Sequence, residues 1–479
     1  MLSQIDLPGR RCAGSLAALI VALLAQSASA ARYSVGPGQA LAEVGEVPWE
    51  SLQPGDEVVI HWRRAPYRAK WVICRRGTEL QPIVVRGAPG ARGELPVIEG
   101  RDAITRKELN FWNEARGVIR IGGANRPKDL MPAHIVVEGL EIRGARPPYS
   151  FSGRQGRTAY SKNAAAVHIS KGEHITIRGC ALRDSGNGLL VSAGSSEILI
   201  EKCWIYDNGI EGSAYEHNSY TAAAGITFQF NRYGPLRAGC RGNNLKDRSA
   251  GTVIRHNWIE GGNRQLDLVD AEDSERLRSD PRYNRAHVYG NILIEPDGKD
   301  NNQIVHFGGD SGNLDWYRPG ILHFYNNTVV SRRRSPTTLF KLSSGRERVD
   351  CRNNLIYVEA PGRNLAIQAA GGTVFLNRNW FKEGWVMRRG ERPVRESGEN
   401  LSGTKPGFVD PASDDFRLLG ASPAVGAGSV LDPRRFGEQP LREVYVPHQR
   451  GRLRKANGGS APNIGALESV SPSSRLNDR

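Results

Sequence analysis

A short phrase recurs through the middle of this chain: an apolar residue, two further residues, and then Asn or Cys. Its earlier anchors are Leu140, Cys180, Cys203 and Asn231. Its clearest copies are Ile254-Arg-His-Asn257, Val288-Tyr-Gly-Asn291, Phe324-Tyr-Asn-Asn327, Cys351-Arg-Asn-Asn354 and Leu376-Asn-Arg-Asn379. Short β-branched runs separated by Gly, Asn or Asp turns lie between the anchors. A period of this size indicates a solenoid of short strands.

The anchors themselves predict a buried ladder. In a β-solenoid, residues at the same phase stack on each other, so an Asn amide can bond the Asn above and below it. Cys180 and Cys203 occupy this position in consecutive coils, roughly 4.8 Å apart. That spacing permits a disulfide and equally suits two small buried side chains, and we favour the unbridged pair.

The rest of the chain divides around the repeat. Residues 1–30 are predicted to be a signal peptide, because Arg10 and Arg11 precede an apolar stretch and a small-residue cleavage site. Residues 31–133 form an N-terminal cap and first coils, with a short amphipathic helix predicted over 39–52. The parallel β-helix occupies 134–381, a closing segment 382–468 and a disordered tail 469–479. Insertions at 146–163, 232–242, 271–285 and 309–319 are expected on the binding face.

The chain resembles a known superfamily. The Asn-anchored coils and the ending Gly407-Phe-Val-Asp410, Asp415-Phe-Arg-Leu418 and Ser422-Pro-Ala424 are similar to secreted right-handed parallel β-helix proteins of the pectate-lyase-like type. The resemblance implies an all-β, right-handed parallel β-helix of about nine or more coils. It is specific for the fold and less so for activity, since that fold carries lyases, hydrolases, epimerases and adhesins.

The net charge and the predicted export together limit the classes of binding partner that we expect. The formal net charge is +15, and an exported basic protein favours a polyanionic glycan over other partners. Nothing resembles a nucleic-acid-binding module, and no second apolar stretch is long enough to span a membrane. We therefore expect a monomer, periplasmic or secreted, that meets an acidic polysaccharide.

The densest polar stretch lies between Tyr215 and Asp273. If Leu245 points inward, its neighbour Lys246 points outward. The repeat then predicts one outward column, in register, of His168, Tyr220, Lys246, Asp267, His306 and Lys341. A solvated outer face would explain the charges of such a column, but not the Tyr and His that accompany them.

This column has the chemistry of a polyuronate lyase. β-Elimination requires neutralisation of the C6 carboxylate, a base for the C5 proton and an acid for the departing 4-oxygen. Lys246 and Arg248 are predicted as base and neutraliser, in either order, and Tyr220 with His217 as proton donor. A Lys base needs a lowered pKa, which repulsion from Arg248 favours. The predicted substrate-binding residues are Asn218, Arg232, Tyr233, Asn244, Arg264, Asp267 and His306.

Other functions fit the same residues. Asp267, Asp270, Glu272 and Asp273 supply carboxylates for a glycoside hydrolase of the inverting kind. A C5-epimerase shares the proton abstraction, and a non-catalytic glycan-binding protein would need neither. Asp267 and Asp270 are also weak candidates for a Ca²⁺ site, since hard cations take carboxylate oxygens.

Overall fold

The computed structural model describes residues 30–298, 301–388, 399–436, 438–454 and 461–470. The predicted signal peptide, apart from its last residue, lies outside the described residues. Parallel strands stack coil upon coil into three faces, which confirms the parallel β-helix. The described residues include no helix that is both long and apolar enough to cross a lipid bilayer.

Face 1 is formed by the strand that precedes the anchor in each coil, and these strands pair in parallel along the whole solenoid. Its strands are Arg32–Val35, Glu57–His61, Ile83–Ala88, Ala133–Glu138, Glu173–Arg178, the second half of Asn187–Glu201, the second half of Ser219–Gln229, Ala250–Arg255, Arg285–Tyr289, Ile321–Tyr325, Arg348–Arg352 and Thr373–Asn377.

Face 2 follows the anchors and, in the part of the chain described, forms an 11-stranded sheet, which agrees with the predicted number of coils. Its strands are Val97–Glu99, Glu141–Arg143, Ala181–Arg183, Trp204–Ile205, Arg232–Tyr233, Trp258–Glu260, Ile292–Glu295, Thr328–Ser331, Leu355–Val358, Trp380–Lys382 and Leu401–Gly403.

Face 3 completes each coil and carries the predicted outward column. Its strands are Ala69–Ile73, Gly117–Ile121, Ala165–Ile169, the first half of Asn187–Glu201, the first half of Ser219–Gln229, Leu245–Asp247, Leu266–Leu268, Gln303–Phe307, Thr337–Leu342, Leu365–Ala370 and Val386–Arg388. Two strands, Asn187–Glu201 and Ser219–Gln229, run from face 3 into face 1.

Short helical turns and further strands lie outside the three faces. The helical turns are Val44–Glu46, Glu114–Arg116, Glu275–Arg278, Pro281–Asn284, Pro411–Ser413 and Pro433–Phe436. The remaining strands are Ile104–Thr105, Asn110–Phe111, Ala124–Arg126, Ser150–Gly153, Gly156–Ala159, Phe408–Asp410, Asp415–Leu419, Glu443–Val446, Arg450–Leu453 and Ser469–Val470.

The Asn ladder is present. Asn257 donates its backbone N–H and its Nδ2 to Asn291 Oδ1 at 2.9 and 3.0 Å, and Asn291 bonds Asn327 in the same way. Each amide also donates to a backbone carbonyl of the preceding coil, as Asn291 Nδ2 does to Ile254 O. The ladder continues past the last predicted anchor to Asn400. These bonds satisfy polar groups that have no access to water.

The residue before each anchor adopts the left-handed conformation that turns the chain from face 1 to face 2. Its φ is 55° at Phe230, 53° at His256, 51° at Asn326 and 56° at Asn353. Asn and Gly tolerate this conformation better than other residues, and Gly290 takes the position in another coil. The ladder and this column together set where each coil turns.

The C-terminal segment lies along face 2. Leu293 points into the solenoid core, whereas its neighbours Ile292 and Ile294 point outward, as strand alternation requires. Phe416 and Tyr445 pack on that outward side. Ser469 and Val470, assigned to the tail by sequence, instead pair in parallel with Leu418 and Leu419; residues 471–479 lie outside the described residues.

The predicted helix over 39–52 is wrong. Only Val44–Glu46 forms a helical turn, and Val47 is extended with φ −61° and ψ 132°. Pro48 explains the difference, because the residue before a proline is disfavoured in the α region.

The described cysteines are all unbridged, as favoured from the sequence. Cys203 donates its thiol to the Ile177 carbonyl at 3.5 Å, and Cys180 donates to the Val137 carbonyl at 3.7 Å. Both side chains are buried in the solenoid core. They behave there as small apolar groups with weak donors.

Removal of one ladder amide should be costly. In Asn291→Ala, the Asn257 backbone N–H loses the Asn291 Oδ1 acceptor and the Ile254 carbonyl loses the Asn291 Nδ2 donor, both at buried positions. We expect the free energy of unfolding to fall by about 3 kcal/mol, since each buried unsatisfied group costs about 1–3 kcal/mol. Urea denaturation measures this, with the exposed Asn313→Ala as the control. Equal losses in the two variants would contradict a stabilising ladder.

His256 should make stability pH-dependent. Burial, reinforced by Arg255 and Arg454, holds the pKa of its imidazole at about 3, below the unfolded value of about 6.5. Its contribution is therefore present above pH 6.5 and is lost as the pH falls towards 3. Between pH 7 and pH 5, we expect the wild type to lose about 2 kcal/mol more than His256→Asn, which keeps a residue suited to the left-handed turn.

The comparison uses urea denaturation at the two pH values. The exposed, left-handed His174→Asn serves as the control and should keep the wild-type pH dependence. An unchanged pH dependence in His256→Asn would contradict the assignment.

Candidate active site

Face 3 holds the outward column in the predicted register. Tyr220 pairs with Lys246, Lys246 with Asp267, and Asp267 with His306. Lys341 follows His306, and His168 stands one strand beyond Leu190, which is the one apolar residue within the column. Adjacent side chains in such a column lie about 4.8 Å apart, so they interact directly.

Lys246 is enclosed by carboxylates. Its ammonium Nζ lies 2.8 Å from Asp267 Oδ2 and 2.5 Å from Asp310 Oδ2, and its side chain is 8% exposed. Burial lowers the pKa of Lys246, but Asp267 and Asp310 outweigh burial and the repulsion of Arg248, so the pKa lies above its ordinary value. The predicted lowering of the Lys246 pKa is therefore wrong. Lys246 is an ammonium at neutral pH rather than a base.

Arg248 occupies the centre of the cluster. Its Nε donates to Tyr220 Oη at 3.0 Å, and its Nη2 lies 2.8 Å from Glu272 Oε1 and 3.0 Å from Asp310 Oδ1. Burial lowers the pKa of Arg248, but the surrounding Tyr220, Asp310 and Glu272 raise it above its ordinary value. The guanidinium is thus a fixed cation that holds one phenol and two carboxylates.

Asp310 reaches the cluster from one of the predicted insertions. Its backbone N–H donates to Asp270 Oδ1 at 2.8 Å, and its carboxylate is 34% exposed. Arg318, at the far end of the same insertion, is fully buried and donates to the Val269 and Ser249 carbonyls at 2.8 and 2.6 Å. The insertion is therefore tied to the solenoid at both ends, which fixes the Asp310 carboxylate over Lys246 and Arg248.

Tyr220 is partly buried beside Arg248, and the buried His217 lies next to it. Their rings meet edge to face with centroids 5.5 Å apart. His217 Nδ1 accepts the Asn243 backbone N–H at 2.8 Å, so a neutral ring carries its hydrogen on Nε2, which has no partner among the described residues. Burial, with the charge of Lys246, lowers the pKa of His217 to about 3. His217 is therefore a neutral hydrogen-bond donor at physiological pH.

Asp267 and His306 follow Lys246 in the column and hydrogen-bond to each other. His306 Nδ1 lies 2.8 Å from Asp267 Oδ1, and His306 Nε2 lies 2.7 Å from Ser343 Oγ. Arg264 Nη1 is 3.4 Å from Asp267 Oδ1, and Arg264 Nη2 donates to Gln303 Oε1 at 2.9 Å. Asp267 and His306 are buried, and every one of these polar atoms is engaged within the protein. They position Lys246 rather than reach a ligand.

Asn218 and Asn244 do not line the outer face. Both are fully buried, and Asn218 Nδ2 donates to Asn244 Oδ1 at 2.9 Å. Asn208 Nδ2 donates to Asn218 Oδ1 at 2.9 Å, so the three residues form a second internal amide ladder. The prediction that Asn218 and Asn244 bind substrate is wrong, because two residues before the column the chain is already turning inside the coil.

Arg232 and Tyr233 are also away from the site. They form a strand of face 2, and Tyr233 is fully buried against Ser219 Oγ at 3.1 Å. Arg232 is exposed and lies over the Trp204 ring, 5.6 Å from its centroid. Their role in substrate binding was predicted wrongly, because they directly follow anchor Asn231 and so belong to the next face.

The weak calcium candidates do not form a metal site. Across the described ranges, no group of three or more His, Cys, Asp or Glu side chains is arranged to hold a metal ion. Both Asp267 oxygens contact cationic or amide groups, and Asp270 Oδ1 accepts backbone N–H groups. These residues therefore do not fit Ca²⁺.

Two residues of the site, Asp310 and Asn243, were not predicted from the sequence. Asp310 lies in an insertion that was expected on the binding face, so its location was signalled, although its partners were not. Asn243 donates Nδ2 to Asp267 Oδ2 at 2.7 Å, and its Oδ1 is buried without a partner in the described structure. No spacing rule in the sequence marks either contact.

Comparisons with known proteins give distant likenesses. No family model matches the chain, and no curated protein matches it. Solved structures similar to it include pectate lyase Pel9A, with 12% identity, a TM-score of 0.48, and coverage of 93% of this chain and 98% of that one. An alginate lyase from Paenibacillus sp. str. FPU-7 has 13% identity, a TM-score of 0.44, and coverage of 70% and 94%.

A third similar structure is a GH136 lacto-N-biosidase from Eubacterium ramulus, with 11% identity, a TM-score of 0.46, and coverage of 78% of this chain and 67% of that one. Similarity at this level assigns no residue role to this chain. The parallel β-helix rests on the strand pairing itself.

Asp267 should be needed for the stability of the cluster. Asp267→Asn keeps the shape but removes the charge that faces Lys246, leaving a buried cation with one partner fewer. We expect the free energy of unfolding to fall by about 3 kcal/mol, as breaking a buried ion pair does. Urea denaturation measures it, and the exposed Asp315→Asn is the matched control. A loss no larger than that of the control would contradict the positioning role.

Proposed function

We propose that this chain is a polysaccharide lyase that cleaves an acidic, uronate-containing glycan by β-elimination on face 3. The observation that carries the proposal is the hydroxyl of Tyr220, a partly buried residue of the column, which accepts a hydrogen bond from the buried Arg248 guanidinium at 3.0 Å. A phenol beside two fixed cations can move a proton where negative charge develops on a neighbouring carboxylate.

The proposed reaction uses Tyr220 twice. As a phenolate, stabilised by the Arg248 Nε–H, it takes the C5 proton of the uronate. The C5–H electron pair forms the C4–C5 double bond, the C4–O4 bond breaks, and the phenol returns the proton to O4. Atoms and charge balance, and the enzyme ends as it began.

The remaining groups assist the charge and the binding. Lys246 and Arg248 offer N–H donors to the enolate-like carboxylate, which is the neutralising role predicted for one of the two, and the predicted base role passes to Tyr220. His217 offers its Nε2–H to a sugar hydroxyl. Asp267 and His306 keep Lys246 in place and contact no substrate.

A glycoside hydrolase is the second candidate, because of Glu272 and Asp310. Burial raises the pKa of Glu272 above its ordinary value. Burial also acts to raise the pKa of Asp310, but the charges of Lys246 and Arg248 outweigh it, so that pKa lies below its ordinary value. Such a divergent carboxyl pair suits an acid and a nucleophile. Both carboxylates contact the same Arg248 nitrogen, at 2.8 and 3.0 Å, so these oxygens are less than 6 Å apart. An inverting pair needs about 6.5–9.5 Å, so only a retaining reaction suits this pair.

The test follows product formation from a panel of polyuronates. A lyase forms products with unsaturated ends, which absorb at about 235 nm, because a positioned side chain removes the C5 proton. We expect Tyr220→Phe to lower kcat by about 10³-fold or more, and Lys246→Ala and Arg248→Ala to lower kcat/KM strongly. The matched control, Tyr206→Phe on face 2, should keep full activity.

Full activity in Lys246→Ala and Arg248→Ala would overturn the assignment. New reducing ends without the absorbance gain, lost in Glu272→Gln, would support the hydrolase instead. An inverted C5 centre without cleavage would indicate an epimerase, and binding without any product would indicate a glycan-binding protein.

A further inference from the structure

The cations at the centre of the site are already neutralised. Asp267 and Asp310 contact Lys246, and Asp310, Asp270 and Glu272 contact Arg248. A substrate carboxylate that approaches them must compete with carboxylates of the protein. A cation without such partners would hold an acidic glycan more effectively.

Arg116 is such a cation. In the described part of the chain, its guanidinium has no ion pair and no hydrogen bond, and its Nε is buried without a partner. The neighbouring Arg120 provides the contrast, because its guanidinium donates to the Asn113 and Gly122 carbonyls and to Ser170 Oγ. A buried donor without an acceptor is unfavourable, so the Arg116 guanidinium is suited to an acceptor from outside the protein.

Arg116 lies on the same side of the solenoid as the reacting groups, three coils before Tyr220. It ends the helical turn Glu114–Arg116, and Gly117, the next residue, lies against His168, with 3.2 Å between a Cβ built on Gly117 and the His168 Cβ. Gly117 pairs with Ala165, on the strand of His168, so the strand of Gly117 stands three strands before that of Tyr220, or about 14 Å. Burial lowers the pKa of Arg116 below its ordinary value, and Tyr220 opposes that lowering.

A cavity opens at the same place. Its volume is about 350 Å³, within the range of sites for small organic ligands. The one carboxylate on its wall, Glu114, already accepts from Thr105 Oγ1 at 2.5 Å and from the Arg154 N–H at 3.3 Å. The other polar residues of the wall are Asn110, Asn113, Arg116, Arg154, Gln155, Thr158 and Ser161.

We infer that this cavity is a glycan subsite in which Arg116 binds the carboxylate of a uronate, on the same polymer as the sugar that Tyr220 deprotonates. The inference rests on the proposed function for its substrate class. A guanidinium binds a carboxylate through two parallel N–H donors, which fixes the sugar's orientation as well as its charge. The uncleaved part of the chain would then lie over the first coils of face 3, away from the carboxylates around Lys246.

The test measures binding apart from catalysis. Calorimetry with an oligouronate of defined length is carried out on Tyr220→Phe and on the double variant Tyr220→Phe, Arg116→Gln. We expect the double variant to bind at least tenfold more weakly, and Arg116→Lys to recover part of the affinity. The matched control is Arg64→Gln, an exposed arginine without an ion pair in the described structure, which removes the same charge and should change the Kd less than twofold.

The chemistry of the ligand gives a second comparison. With a carboxyl-reduced oligosaccharide of the same length, Arg116→Gln should bind as tightly as its parent. Melting temperatures within about 2 °C of the parent show that the variants are folded; otherwise Arg116→Lys and the neutral ligand decide. A Kd for the oligouronate that Arg116→Gln leaves unchanged would overturn the subsite, as would equal losses for charged and neutral ligands.

The two proposals fail separately. If the wild type binds oligouronates through Arg116 but forms no unsaturated product, the lyase proposal fails and the subsite stands. If the wild type forms that product and Arg116→Gln neither weakens binding nor raises KM, the subsite fails and the lyase stands. If no oligouronate binds, the subsite fails.

Discussion

The amide ladder is the interaction on which the rest of this molecule depends. Asn257, Asn291 and Asn327 each bond the next coil through both a backbone and a side-chain N–H. Strand registers in a parallel sheet are weakly specified where both faces are apolar. A polar residue that finds its partner at one register alone removes that ambiguity, since a slip by one residue would leave several buried amides unpaired. The position of every outward side chain follows from this constraint.

Much of the fold could be predicted for that reason. The phase of Asn257 and Asn291 gave the inward and outward positions of nearby strands, and the pairing of Tyr220 with Lys246 and of Lys246 with Asp267 was predicted correctly. The same reasoning failed at the corners. Arg232 and Tyr233 directly follow an anchor, where the chain has already changed face, and the alternation of one strand does not extend to the next.

The electrostatics of the site were beyond the sequence for a different reason. Lys246 and Asp310 are 64 residues apart in the chain, and their contact depends on an insertion whose path no repeat encodes. Without Asp310, repulsion from Arg248 would suggest a Lys with a lowered pKa. With Asp310 and Asp267 in place, the attraction exceeds both that repulsion and the cost of burial. Long-range tertiary contacts therefore raise the Lys246 pKa that the local sequence predicted to be lowered.

The insertion that carries Asp310 also separates two ways of attracting a polyanion. A ligand carboxylate that reaches Lys246 and Arg248 must displace a protein carboxylate that is already there. Because the number of ion pairs stays the same, dissolved salt should change the affinity of this step little. A carboxylate that reaches Arg116 adds an ion pair, and salt opposes it. The centre of the groove would then behave as an ion exchanger, and its first coils as an adsorbent. A long acidic chain would be collected by the first coils and admitted to the centre only by substitution.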